Sequence, residues 1–179
     1  VTLVLIGLRG SGKSTIGRAA GAALGWAFVD LDDLTPGVLG AASAGEALKT
    51  HGEAAFRDAE ATALAGVLAA AEKNAGRVVI ALGGGTPTAP GVPELLRGAG
   101  ARAVYLRATP RTLRERLVHT DLRTRPSLTG RGVLAEIAAV FERRDGVYSA
   151  LAAELGTVID VDGLSAHDLE RAVVDIARG

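Results

Sequence analysis

Residues 7–14, Gly7-Leu8-Arg9-Gly10-Ser11-Gly12-Lys13-Ser14, leave this chain few choices of fold. They follow an apolar run, Val1 to Ile6, and precede an alanine-rich stretch with helical spacing. The pattern G-x-x-x-x-G-K-[ST] between a strand and a helix is a phosphate-binding loop. Its glycines let backbone N–H groups turn inward and approach phosphate oxygens closely. The first turn of the following helix adds unpaired N–H groups and a partial positive charge. Lys13 supplies a mobile point charge for the β- and γ-phosphates, and Ser14 an oxygen ligand for Mg²⁺. The loop implies a nucleoside triphosphate with magnesium. It leaves open what receives the phosphoryl group, or whether water does.

Downstream, apolar runs alternate with helical patterns. After the strand at Val1–Ile6, a helix spans Lys13 to Leu24 and closes at Gly25. A short strand, Trp26–Asp30, ends in acids. Leu31 to Thr50, with Pro36, Gly37, Gly40 and Gly45, reads as two short broken helices off the main sheet. Glu53 to Lys73 is helical and stops at Ala75-Gly76. The strand Val78–Leu82 runs into Gly83-Gly84-Gly85, and a helix covers Pro93–Arg97. Ala103–Arg107 is the fourth strand. Thr109 caps a helix with Pro110 at its first position, ending at Leu117. Residues 119–132 are polar, arginine-rich and broken by Pro126 and Gly130. A helix from Gly132 to Leu155, a strand at Val158–Val161 and a Ser165-capped helix to Ala177 complete the chain.

This alternation predicts an α/β fold of three layers, a five-stranded parallel sheet wrapped by helices on both faces. At 179 residues the chain is read as one domain. Its core is 1–31, 61–118 and 133–179, with an insertion at about 32–60 and a lid at about 119–132. Ligands of such sheets bind beyond the carboxyl ends of the strands. The phosphate loop, Asp30/Asp32 and the glycine triplet all fall at those ends.

Composition removes other classes. There is no cysteine, hence no disulfide framework, thiolate catalysis or cysteine metal site. Formal net charge is zero and aromatics make up 3%, which disfavours nucleic-acid binding. No apolar stretch is long enough to span a bilayer. The first apolar run is short and leads straight into the loop, so no signal peptide is expected and the expected location is cytoplasmic. The chain opens on Val1, so an initiating residue is expected upstream. His51, His119 and His167 share no metal-ligand spacing.

The remaining motifs concern the acceptor. Asp30 and Asp32, two residues apart at a strand end, point the same way in extended chain. One can hold a magnesium-bound water and the other face an acceptor hydroxyl; Asp33 is a possible helix cap. On a helix, Glu53 and Glu60 lie one turn either side of Arg57. Such a pair is either an exposed ladder or a device that orients the guanidinium toward a substrate carboxylate. Phe56 would form a wall beside it. The glycine triplet suits close approach of backbone to a ligand.

Taken together, GLRGSGKST, the D-x-D of Asp30/Asp32, GEAAFRDAE from Gly52, the strand into GGG, RPSL from Arg125 and the R-x-x-x-Y of Arg144/Tyr148 resemble shikimate kinases. These are P-loop enzymes of the nucleoside-monophosphate-kinase-like group, and the resemblance covers nearly the whole chain. It implies a P-loop kinase fold and transfer of phosphate from ATP to the 3-hydroxyl of shikimate, with Mg²⁺. It implies a nucleotide site of Gly10, Ser11, Gly12, Lys13, Ser14, Thr15 and Arg125, the last closing onto the transferring phosphate. Ser14 and Asp30 would serve the metal. Asp32 would contact shikimate hydroxyls and accept a proton. Arg57 and Arg144 would clamp the carboxylate, Glu60 would steady Arg57, and Gly84 and Gly85 would contact the substrate through backbone. Lys13, Asp32 and Arg125 are the catalytic set. Segment 161–165 falls at the adenine, and either Arg116 or Arg123 is the adenine-side arginine.

The pattern departs at Pro36-Gly37, at Leu48 where an aromatic is common, and at Ser127 in RPSL. The partners implied are ATP and shikimate, with no nucleic acid, no membrane and a monomeric state. Two other readings compete: a kinase of the same fold for another hydroxy acid such as gluconate, and a non-catalytic nucleotide switch.

Overall fold

The computed structural model describes residues 1–73, 76–118 and 133–179. Five parallel strands form one sheet: β1 (Thr2–Ile6), β2 (Ala27–Asp30), β3 (Val78–Ala81), β4 (Arg102–Arg107) and β5 (Gly156–Asp160). Their spatial order is β2-β3-β1-β4-β5. The helices are α1 (Lys13–Leu24), α2 (Leu31–Val38), α3 (Ala44–Lys73), α4 (Val92–Gly98), α5 (Pro110–Val118), α6 (Val133–Leu155) and α7 (Ala166–Arg178). Every residue of β1 and β3 is buried, as strands covered on both faces require. The order sets β3 between β1 and β2, so the loops leaving these three strands are neighbours at one sheet edge.

Glycine decides how closely α1 lies on the sheet. A Cβ at Gly17 would come 2.5 Å from Phe28 Cε2 and 3.1 Å from Leu5 Cδ1; one at Gly21 would come 3.2 Å from the Trp26 carbonyl. The helix ends as expected, with Gly25 left-handed at φ 67°. At the other terminus, Ser165 accepts the Asp168 N–H at 3.1 Å and caps α7. Among the described residues, no helix is long and apolar enough to cross a membrane.

Two readings need correction. The acids after β2 do not lie on extended chain. The strand passes into α2 with no linker, because Asp30 is itself the cap, its Oδ1 accepting the Asp32 N–H at 3.1 Å. The cap is therefore Asp30 and not Asp33, and Asp32 sits in the first helical turn. The helix around Arg57 begins after Gly52 as expected: the backbone of Gly52 (φ 81°, ψ 172°) is not helical and breaks α3 into two helical stretches. Ser43 accepts the Glu46 N–H at the start of the first, a cap the scattered glycines obscured. Finally, β5 begins two residues before Val158, because Gly156 and Thr157 pair with Ala103 and Val104 through backbone alone.

Gly17→Ala should gain up to about 1 kcal/mol of helix propensity. Against this stands an overpacking cost of roughly 1–3 kcal/mol, given the 2.5 Å approach to the Phe28 ring. Net destabilisation is expected, read as a lower urea midpoint with unchanged slope; a midpoint at or above the parent's would contradict the close-contact account.

Candidate active site

The phosphate loop is built as a nest. Gly10 and Gly12 adopt φ 86° and 102°, values that side chains with a Cβ rarely take. Gly12 stands at the N-cap of α1 with no side-chain cap hydrogen bond. Gly7 must be glycine for space: a Cβ would meet Ser11 Oγ at 2.6 Å and the Leu106 carbonyl at 2.8 Å. Lys13 is buried and donates to the Gly7 and Leu8 carbonyls at 2.9 and 3.1 Å. Ser11 is fully buried; its amide donates to the Leu8 carbonyl and its hydroxyl is turned under the loop with no hydrogen-bond partner among the described residues. Ser14 is half-buried and Thr15 exposed in the first turn of α1. Arg116, from α5, reaches the Gly10 and Ser11 carbonyls at 3.4 and 3.3 Å.

Across the sheet edge, Glu60 organises a second cluster of charged side chains. It is 1% exposed. One oxygen accepts from Arg57 Nη1 at 2.5 Å and the other from Thr86 Oγ1 at 2.7 Å. Glu53 takes Arg57 Nη2 at 3.1 Å from the solvent side. Burial alone would lower the Arg57 pKa, but Glu60 and Glu53 more than offset this and hold it above its ordinary value. The guanidinium is therefore a fixed cation oriented by two carboxylates, rather than an exposed ladder.

The glycine triplet has a steric cause at two of its three positions, Gly83 and Gly85. A Cβ at Gly83 would lie 2.5 Å from Glu60 Oε1 and 2.6 Å from Asp32 Oδ1. One at Gly85 would lie 2.1 Å from Arg57 Nη1, although its φ of −113° suits any residue. Gly84 offers its carbonyl: Arg144 Nη1 and the Tyr148 hydroxyl both donate to it. Tyr148 is fully buried, and burial pushes its pKa up to about 12.

These pieces share one cavity of about 500 Å³, lined by Lys13, Asp32, Arg57, Gly84, Gly85 and Arg144. Phe56 and Leu48 form part of its wall. Arg125, Arg123 and His119 lie outside the described residues. Two charged lining residues escaped sequence reasoning. Arg9 belongs to the loop itself, where it reads as an ordinary spacer position. Glu136 is buried at 6% exposure. Its signal was present: Glu136, Val140 and Arg144 recur every four residues along one stripe of α6. Oxygen donors suited to a hard cation stand at Ser14 and Asp30, and one Asp30 oxygen also carries the helix cap.

The chain is similar to known proteins over most of its length. The family model described as shikimate kinase matches residues 9–175. The chain is 37% identical over 171 residues to a shikimate kinase of Moorella thermoacetica, covering 96% of this chain and 91% of that one. It is 36% identical over 152 residues to shikimate kinase 2 of Yersinia pestis, covering 84% and 83%. Among solved structures, the shikimate kinase of Acinetobacter baumannii in complex with shikimate superposes with a TM-score of 0.84 at 25% identity, covering 99% of this chain and 92% of that one.

The Tyr148 shift has a stated sign. A hydroxyl that ionises near 12 when folded and near 10 when unfolded contributes stability that is intact below about pH 10 and lost above it. Unfolding free energy is expected to fall by on the order of 2 kcal/mol between about pH 10 and 12 through this group. In Tyr148→Phe that part of the decline should vanish in urea titrations; an identical pH profile in the variant would refute the assignment.

Proposed function

The chain belongs to the shikimate kinase family and is a small-molecule kinase, and we propose that it transfers the γ-phosphoryl group of ATP to the 3-hydroxyl of shikimate, giving shikimate 3-phosphate and ADP. The observation that carries the reading is the single cavity on which Lys13, Asp32, Arg57 and Arg144 converge. A phosphate-binding loop forms one wall and two arginines and an acid form the other. Phosphoryl transfer asks mainly for positioning and charge neutralisation, and this arrangement supplies both.

In the proposed mechanism, Lys13 and the amides from Gly10 to Thr15 hold the phosphates. Arg57 and Arg144 grip the carboxylate of shikimate, with Glu60 keeping the Arg57 fork in place. Backbone at Gly84 and Gly85 borders the ring. The 3-hydroxyl oxygen bonds to the γ-phosphorus as the bond to the β–γ bridging oxygen breaks, ADP departs, and the hydroxyl proton passes to an Asp32 oxygen. Mg²⁺, held through Ser14 and through water by Asp30, would neutralise phosphate charge. Arg116 and segment 161–165 form the nucleotide's base side: Asp162 accepts the Thr109 N–H at 3.3 Å, which ties that segment to α5. Residues 32–60 serve as the acceptor-binding insertion. The protein works as a cytoplasmic monomer. A gluconate-type acceptor is not favoured by the family membership.

ADP release with Mg-ATP across a panel of hydroxy acids tests the reaction. Release only with shikimate is expected; release with gluconate alone, or release indifferent to acceptor, would overturn it. Site roles separate by kinetics. Arg57→Ala should raise the KM for shikimate roughly 10–100-fold, the loss of charge-assisted bonds, with the KM for ATP unchanged. Lys13→Ala should act mainly on kcat. Equal loss of ATP affinity in both variants, with shikimate affinity intact, would contradict these assignments.

A further inference from the structure

Arg144 and Tyr148 meet one carbonyl from α6, and the residue after Arg144 ties the same helix to the sheet. Asp145 points about 100° away around the helix and engages the sheet. Its Oδ1 accepts the Tyr105 hydroxyl at 2.9 Å and Arg107 Nε at 2.7 Å; its Oδ2 accepts Arg107 Nη2 at 2.9 Å. Tyr105 and Arg107 are two apart on β4 and so share one face. The Arg107 contact is bidentate, the form that adds geometric definition to energy. Arg107 is itself placed by Phe141, whose ring centroid lies 5.7 Å from its guanidinium carbon, and by Asp160 at 3.5 Å. One turn on, Tyr148 sets its ring edge-on to Tyr105, with centroids 5.4 Å apart at 89°. A closed circuit results. It runs from the Gly84 carbonyl through Tyr148 and Tyr105 to Asp145, then through one peptide bond to Arg144 and back to Gly84.

Such a circuit constrains rotation more than translation. A turn of α6 by about 10° would move a group about 6 Å from its axis by roughly 1 Å. A misplacement of about 1 Å can lower rate or affinity by about 10²-fold. Were the Arg107–Asp145 pair only a surface salt bridge, it would be worth little, since both side chains are partly exposed. Three donors on one carboxylate, one of them from a buried tyrosine, argue for more than that. Arg107's hydrogen bonds also hold the Asp145 carboxyl below the usual carboxylate range, so it stays ionised and acceptor-only.

We propose that Asp145, held by Tyr105 and Arg107, is the positioning residue that sets Arg144 for the carboxylate of the acceptor. The inference rests on the assignment of Arg144 to that carboxylate made above. Steady-state kinetics on Asp145→Ala, Asp145→Asn, Tyr105→Phe, Arg144→Ala and the double variant Asp145→Ala/Arg144→Ala test it, with circular dichroism to confirm folding. Asp145→Ala should raise the KM for shikimate roughly tenfold at unchanged KM for ATP. Asp145→Asn, whose amide oxygen still accepts the Tyr105 hydroxyl, should fall between parent and alanine. In the Arg144→Ala background, Asp145→Ala should add nothing, because its effect passes through Arg144. Multiplying effects in the double variant, equal rises in both KM values, or a lower Tm with unchanged KM for shikimate each overturn the proposal while leaving the role of Arg144 standing. An unchanged KM for shikimate in Arg144→Ala overturns that role, and the inference with it. If Asp145→Ala does not fold, Asp145→Asn and Tyr105→Phe decide by the same KM comparison.

Discussion

A carboxylate removed from water must be matched by donors, and Glu60 is such a carboxylate. Its two oxygens join parts of the chain distant in sequence: Arg57 within α3 and Thr86 just past β3. The insertion after β2 is thereby tied to the edge of the sheet. The glycines at 83 and 85 follow from the same bond, since any side chain there would collide with the ion pair or with Asp32. The rest of the acceptor wall is placed relative to that pair. Removing one partner would leave a buried charge uncompensated, which is why the triplet tolerates its high backbone entropy.

Much of this was legible in the chain because the relevant physics is local. The loop from Gly7 to Ser14 is read from neighbouring residues alone. Arg57 and its two carboxylates are set by helical spacing, and the Ser165 cap by a three-residue interval. The parallel sheet followed from alternation. What escaped depended on contacts distant in sequence, or on a side chain serving a neighbour's backbone. Nothing near Gly84 announces that its carbonyl belongs to Arg144 and Tyr148, some sixty residues on. Asp30 looked like half of a carboxylate pair, yet one of its oxygens starts a helix. The stretch around Arg125 lies outside the described residues, and its role rests on the family pattern.

The distribution of charge in the cavity also explains how a chain of zero formal net charge can take two anions. Arg9, Lys13, Arg57 and Arg144 line it alongside Asp32, Asp33, Glu60 and Glu136. Attraction is therefore local and short-ranged, set by which cation is oriented inward and which acid is held back by hydrogen bonds. Glu60 is fully occupied by its donors and serves its arginine; Asp32 lines the cavity itself. Two carboxylates of similar kind thus take different parts because one is spent on structure.

Lys13 donates to two carbonyls of its own loop. The ammonium has thus already exchanged part of its water for neutral oxygens, and the loop is held in shape by the residue meant to grip the ligand. An incoming phosphate meets a loop already shaped, and competes with these carbonyls for the ammonium. Charge-assisted bonds are roughly twice as strong as neutral ones, so the advantage grows with the number of anionic oxygens offered. A neutral nucleoside has none to offer. The carbonyls held by Lys13 thus set a threshold of ligand charge, below which exchanging them brings little gain.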